Sequence, residues 1–314
     1  MAVSRSGIGV VVINWNGLAD TLACLESLVA ATPEPVRVVV VDNGSTDGSL
    51  HALRDWQAAR RGQGAGSAVT ILASSTNRGF SGANNVGVEY LCADPAIGHF
   101  LLLNNDATVD PGFFREMARA LAAAPDAGIV GATIYVTARP GEVWYAGGRF
   151  LPLRSLVRHE RTVPRDGAPL PTQFVTGCAM LIARRAWETL GPLAECYFIY
   201  FEDAEYSWRA HAAGLPVLYA PRAVVHHAVG ASVTRQWPDP RVVRVQTRNR
   251  ALFVRRNLSG WTRWGALAYL VVTKPGRALV ETLRGRPALG WAFFRGMLDG
   301  LMTSAGRPER RRPR

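Results

Sequence analysis

The triplet Asn104-Asn105-Asp106 follows four apolar residues, Phe100 to Leu103. Four apolar residues bounded by polar ones are too few for a helix and read as a strand buried on both faces of a parallel sheet. In open α/β sheets ligands bind beyond the carboxyl ends of the strands, so this polar triplet stands where chemistry takes place. The short carboxylate of Asp106 suits a divalent cation there, because hard cations take oxygen ligands and bring phosphates with them. Two more strand-like runs end in the same way. Gly9 to Ile13 runs into Asn14-Trp15-Asn16-Gly17, and Val38 to Val41 runs into Asp42-Asn43-Gly44-Ser45-Thr46-Asp47-Gly48-Ser49.

The elements that must position these residues alternate. Helical spacing of Leu22, Leu25, Leu28 and Val29 follows the first strand, with Asp20 as its expected cap. Leu50, Leu53 and Trp56 follow the second strand. The loop Arg61 to Gly66 and a third strand, Val69 to Leu72, come next, and then Asn77-Arg78-Gly79-Phe80-Ser81-Gly82-Ala83-Asn84-Asn85-Val86-Gly87 leads into a short helix. Asp110-Pro111 is expected to start another helix, with Asp as N-cap and Pro in the first turn. Strand and helix alternating four times predict a doubly wound, mostly parallel α/β sheet. No G-x-x-x-x-G-K-[ST] loop occurs, and the one glycine cluster precedes a strand, which disfavours dinucleotide oxidoreduction.

After about Pro125 the alternation weakens. Ile129 to Val136, Val143 to Phe150 and Phe174 to Ile182 read as strands, Pro152 to Pro171 as an irregular, mobile basic loop, and Pro216 to Tyr219 and Ala223 to Val225 as two short strands. In Glu202-Asp203-Ala204-Glu205, Asp203 can cap a helix that Gly214 ends.

With 314 residues the chain can bury a full core. Its net charge of +12 is unevenly placed: residues 1–234 carry −2 and residues 235–314 carry +14. That excess points to an anionic surface, lipid headgroups or nucleic acid, as partner of the tail. Within it Arg241, Arg244, Arg248 and Arg255 fall within roughly 60° on a helical wheel. Trp261, Trp264, Leu267 and Val271, then Trp291, Phe294, Leu298 and Leu301, share helical faces suited to a membrane interface, the alternative being helices that pack over the domain or form a homodimer face. The longest uncharged run there, Trp264 to Thr273, is too short to span a bilayer. Cys24, Cys92, Cys178 and Cys196 have no framework spacing, which fits reduced thiols in a cytosolic protein, and the N-terminus shows no secretory pattern.

Taken in order, V-D-N-G-S-T-D-G-S at Asp42, N-R-G-F-S-G-A-N-N-V-G at 77–87, N-N-D at 104–106, T-G-C-A-M-L at 176–181, F-E-D-A-E at 201–205 and H-A-V-G-A-S at 227–232 resemble the family 2 inverting glycosyltransferases of GT-A fold. Rhamnosyltransferase-like bacterial members are the most similar, and the likeness covers about residues 8 to 260. The resemblance implies residues 1–125 as a nucleotide-sugar-binding half, 126–234 as an acceptor and catalytic half, and 235–314 as a basic helical tail. It implies a dTDP- or UDP-sugar donor bound through Asn14, Asp42, Arg78, Asn105 and Asp106, Mg2+ or Mn2+ held by Asp106 and His227, and Asp203 as general base. Gly177 would line the acceptor side. Glu202 or Glu205 could replace Asp203, and His226 could replace His227. The family's metal motif often carries two aspartates around one residue; here Asn104, a weaker amide ligand, takes the first place.

The implied acceptor is a glycan or a polyprenyl-diphosphate-linked glycan at the inner face of the plasma membrane, with the tail on anionic lipid and no nucleic acid as partner. Three rival readings are a nucleotidyltransferase, which leaves Asp203 and His227 without work, an inactive sugar-nucleotide-binding scaffold, and a basic nucleic-acid-binding protein, for which the tail lacks a recognisable module.

Overall fold

The computed structural model describes residues 7–31, 36–60, 68–228 and 239–304. The expected alternation is present as β1 (Gly7–Asn14), α1 (Leu18–Ala31), β2 (Arg37–Asp42), α2 (Ser49–Arg60), β3 (Ala68–Ala73), α3 (Gly79–Cys92) and β4 (Ile97–Asn104). These strands are parallel in the order β3-β2-β1-β4. Val10, Val12, Val38, Val40, Leu101 and Leu103 pack into one core layer, and Val11, Val39, Val41, Phe100 and Leu102 into the other. Both faces are covered, so the strands are continuously apolar rather than alternating.

The sheet continues from β4 through β11 (Ala179–Ala183), β6 (Ile129–Val136), β12 (Val217–His227) and β10 (Leu170–Pro171). Strand β11 is antiparallel to both β4 and β6, whereas β12 is parallel to β6. Two short strands, β5 (Ala107–Val109) and β7 (Val143–Tyr145), join β12 and β6 respectively. Helices α4 (Phe113–Ala123), α5 (Arg184–Leu190) and α6 (Glu202–Ala212) complete this half.

Several expectations are corrected. Helix α4 begins at Phe113 and not at Asp110-Pro111. Asp110 is tied elsewhere: its N–H donates to the Val224 carbonyl (3.1 Å) and its carboxylate meets His226 Nε2 at 2.9 Å. Neither Asp20 nor Asp203 is an N-cap; each lies in the first turn of its helix. Residues 152–171 contain regular structure, because β8 (Gly148–Leu151) and β9 (Leu156–His159) pair as a hairpin whose Phe150 and Val157 reach the core, and β10 joins the sheet edge. The two short strands expected between Pro216 and Val225 are one strand, β12, bulged between Ala220 and Val224. The loop Arg61 to Gly66 and the motif residues Val229 to Ser232 lie outside the described residues.

Beyond the sheet run α7 (Pro240–Asn257), α8 (Gly260–Leu283) and α9 (Pro287–Met302). Three of the four arginines in the row on α7 are engaged within the protein. Arg244 pairs with Asp299 of α9 at 2.7 Å, Arg248 donates to the Cys196 carbonyl at 2.9 Å, and Arg255 donates to Gly300 and Thr303 carbonyls at 3.0 and 2.6 Å. Trp208 is a packing residue, edge-on to Phe150 and Phe253 with ring centroids 5.0 and 5.8 Å away.

Candidate active site

The carboxyl ends of β1, β2 and β4 are brought level by register, with Asn14 opposite Asp42 and Ile13 opposite Asn104. The strand order switches between β1 and β4 at this edge, the position outside which ligands of open α/β sheets bind. Asn14 is fully buried and donates its amide to Asp42 Oδ1 at 2.7 Å and to Ser45 Oγ at 3.0 Å. Its own Oδ1 accepts from Thr21 Oγ1 at 2.8 Å, and Thr21 in turn accepts from the Asn105 amide at 3.0 Å. Asn14, Asp42 and Asn105 are thus one hydrogen-bonded set, with Thr21 as its unforeseen hub.

Asn43 joins this set to the start of α3. Its Oδ1 accepts from the Arg78 N–H at 2.8 Å and its amide donates to Asn77 Oδ1 at 3.0 Å. The Arg78 guanidinium stays part-exposed, 3.6 Å from Glu195 Oε2. Gly79 follows at φ +70°, where an added Cβ would lie 2.4 Å from the Phe198 carbonyl oxygen, so this close approach of α3 to the 195–201 loop requires glycine.

Pairing of β5 with β12 sets Ala107 opposite His227, and this delivers the imidazole to the residue that precedes Ala107. His227 Nε2 lies 3.0 Å from Asp106 Oδ1 and 3.3 Å from the Asn104 amide nitrogen. Strand alternation turns His226 to the other face, onto Asp110. Of the two histidines, His227 faces the Asp106 edge. Burial works against charging its ring, but Cys178 and Asp106 act the other way and push the imidazole up to about 10. Trp144 lies edge-on against the same ring, with centroids 5.1 Å apart, a contact that no sequence pattern announced.

Among the described residues no three His, Cys, Asp or Glu side chains gather into a metal cage. The donors present nevertheless fit a divalent cation that keeps substrate phosphates and water as its remaining ligands: a carboxylate, an imidazole nitrogen and, with its amide turned, the Asn104 carbonyl oxygen.

Asp203 stands at the start of α6, at the same edge. Its Oδ2 accepts from the Gly177 N–H at 2.9 Å and its Oδ1 from its neighbour Ala204 N–H at 2.8 Å. Burial raises its pKa, and these two N–H groups hold it back. Glu202 is buried, with Oε2 unpartnered among the described residues, and burial followed by the Asp203 charge raises it further. Asp203 is the better placed of the two to carry charge, because more hydrogen-bond donors favour its carboxylate than favour that of Glu202. Glu205 is wholly buried and paired with Arg209 at 2.9 Å, which leaves Asp203 as the part-exposed carboxylate of the three. Burial pushes the Cys178 thiol up, with His227 opposing and Asp106 and Asp203 adding to the rise.

The segment before Asp203 is strained, with Phe198, Tyr200 and Phe201 at φ +65°, +68° and +76°. One buried side chain from α7 holds it: the Asn249 amide donates to the carbonyls of Tyr197, Ile199 and Tyr200 at 2.9, 2.8 and 2.9 Å. Sequence reading missed Asn249, since an asparagine between two arginines carries no signal of what it will meet. Asn249→Ala is expected to remove this donor from the Ile199 and Tyr200 carbonyls, Tyr197 keeping the Ile199 N–H at 2.8 Å, and cost about 1–3 kcal/mol of stability. Urea unfolding would read that loss, and a parallel fall in turnover with unchanged donor affinity would show that the clamp aligns Asp203.

The glycosyl transferase family 2 model matches residues 9–191. N-acetylglucosaminyl-diphospho-decaprenol L-rhamnosyltransferase of Mycobacterium tuberculosis is 28% identical over 263 residues, covering 76% of this chain and 81% of that protein. Low-salt glycan biosynthesis hexosyltransferase Agl10 of Haloferax volcanii is 23% identical over 316 residues, covering 96% and 94%. Among solved structures, GalNAc-T7 with UDP, GalNAc and Mn2+ superposes with a TM-score of 0.66 at 15% identity, over 92% of this chain and 56% of that one. The mannosyltransferase PcManGT from Pyrobaculum calidifontis with GDP-Man and Mn2+ gives 0.57 at 17% identity, over 94% and 87%. These neighbours share the GT-A fold. With a family match over more than half its length and that fold, the chain belongs to glycosyl transferase family 2.

Proposed function

We propose that this glycosyltransferase moves a sugar, rhamnose being the first candidate, from a dTDP- or UDP-sugar to a hydroxyl of a lipid-linked glycan, with inversion. The observation that carries this reading is Asp203, a part-exposed residue whose ionised carboxylate two backbone N–H groups favour, at the edge that also bears Asp106 and His227. Asp42 accepts from the ring N–H of the pyrimidine, Asn14 and Asn105 hold that end of the crevice in shape, and Arg78 meets the diphosphate. Asp106 and His227, with the Asn104 amide oxygen, would hold Mg2+ or Mn2+, which when bound neutralises charge gathering on the diphosphate. Asp203 takes the acceptor's hydroxyl proton as that oxygen bonds to C1 and the bond from C1 to the diphosphate oxygen breaks on the opposite face. Attack from that face inverts the anomeric centre.

The lipid-linked acceptor is supported by the activity for which the mycobacterial relative is named, and Mn2+ by its presence in two structural neighbours. In this reading residues 1–125 bind the donor, 126–234 present the base and the acceptor face, and 235–314 work at the inner face of the plasma membrane. Among the described residues no helix is long and apolar enough to cross a membrane.

A thermal-shift panel of dTDP-rhamnose, UDP-galactose, UDP-glucose, UDP-N-acetylglucosamine, GDP-mannose and NAD, with and without Mn2+, tests the donor. Stabilisation by one pyrimidine-diphospho-sugar, amounting to about 2.7 kcal/mol at a hundredfold excess over Kd, is the expected result. No response to any sugar nucleotide would overturn the proposal.

A further inference from the structure

Helix α8 buries Ala266 and Leu270 together with two charged side chains and turns a row of large apolar side chains outward. Its charged side chains Lys274 and Glu281 are 8% and 2% exposed, whereas Trp261, Val272 and Leu283 are 91%, 72% and 77% exposed. The buried charges are satisfied by the protein: Lys274 sits over the Phe293 ring, and Glu281 pairs with Arg277 and Arg286 at 2.8 and 3.0 Å. Trp261, Trp264, Val271, Val272, Leu279 and Leu283 are all among the exposed large apolar residues, and their spacing sets them on one face. The stripe runs from Trp261 to Leu283, about 33 Å along the helix. A soluble helix normally turns such a face to the core.

We propose that this outer face of α8 is a membrane-docking surface, seated in the headgroup and upper acyl zone of an anionic phospholipid bilayer. A helix lying in that zone buries one apolar face to about 5–10 Å and favours tryptophan, whose ring is apolar with a polar N–H. Charge selects the bilayer over a second copy of the chain. Residues 235–314 carry +14, so two such layers facing each other repel, while an anionic leaflet attracts. The sequence past α9 adds Arg307, Arg310, Arg311, Arg312 and Arg314. An apolar face and a polybasic segment together are the two signals that stable peripheral binding takes. The arginine row of α7 is not this surface, since Arg244, Arg248 and Arg255 are committed to partners inside the protein. The proposal rests on the lipid-linked acceptor only for its purpose: α7, which clamps the segment before Asp203 through Asn249, packs with the same helical layer.

The test is co-sedimentation of the full chain with vesicles of two parts phosphatidylcholine to one part phosphatidylglycerol, and with phosphatidylcholine alone. Binding to the anionic vesicles, weakened by salt and reduced about tenfold or more in Trp261→Ser/Leu279→Ser/Leu283→Ser, is expected. These side chains are exposed, so the variant should keep the wild-type melting temperature, and circular dichroism checks this. Unchanged vesicle binding in the triple variant overturns the proposal, as does absence of binding by the wild type. A wild-type dimer in sedimentation equilibrium that the substitutions convert to monomer, without vesicle binding, would assign the face to a second copy instead. No sugar nucleotide enters the assay, so its failure and failure of the donor reading are separate results.

Discussion

Asp203→Asn should lower kcat by about 10²–10⁴-fold while leaving the donor's thermal shift intact. The amide is nearly isosteric and can keep the hydrogen bond from Gly177, so folding and nucleotide binding survive. It cannot accept a proton, so loss of turnover with retained binding isolates the general base. The neighbouring carboxylates provide the contrast. Glu205→Gln removes the buried partner of Arg209 and should act on stability first, and Glu202→Gln should be mild because that side chain is already held protonated. The pH profile follows from the same geometry. Burial raises Asp203 above the ordinary aspartate value of about 3.9. The ionised form is the active one, so kcat/KM should rise with pH through that raised pKa, and the acid limb should vanish in Asp203→Asn. Turnover by the variant close to wild type would remove Asp203 from the chemistry.

Asp106→Ala is expected to cost about 10²–10³-fold in kcat and to abolish the Mn2+-dependent part of donor stabilisation. The carboxylate and His227 Nε2 are 3.0 Å apart, so one cation can meet both, and removal of either should weaken metal binding. His227→Ala should therefore resemble Asp106→Ala in a Mn2+ titration, and His226→Ala should not, because His226 lies on the opposite face against Asp110. The imidazole holds its proton up to about 10 beside Asp106, so metal and proton compete for the ring, and Mn2+ affinity should climb with pH. Full activity in EDTA, unchanged by Asp106→Ala, would leave the pair a structural ion pair and nothing more.

The first half of the site was legible because each of its residues ends an apolar run. A strand buried on both faces must be continuously apolar, and the first polar residue after it marks the sheet's carboxyl edge. Asn14, Asp42 and Asn104 to Asp106 could each be located from that rule alone. Local signals failed where a distant partner claims the side chain. Asp110 looks like an N-cap before Pro111, yet β12 binds it first. The 152–171 stretch looks irregular because its strands are four and two residues long and owe their order to a hairpin and a sheet edge.

The sequence by itself determined the alternation of the first 104 residues, the parallel half of the sheet and the row of polar strand ends, since apolar runs and polar breaks are local properties of the chain. The tertiary structure decided which histidine faces Asp106, which of three carboxylates is part-exposed, and that Arg244, Arg248 and Arg255 meet internal partners while Trp261, Trp264 and Trp291 face outward. Those outcomes depend on strand register and on the packing of α6, α7 and α9 against residues 26 to 123 positions away. No periodicity within one element encodes such pairings.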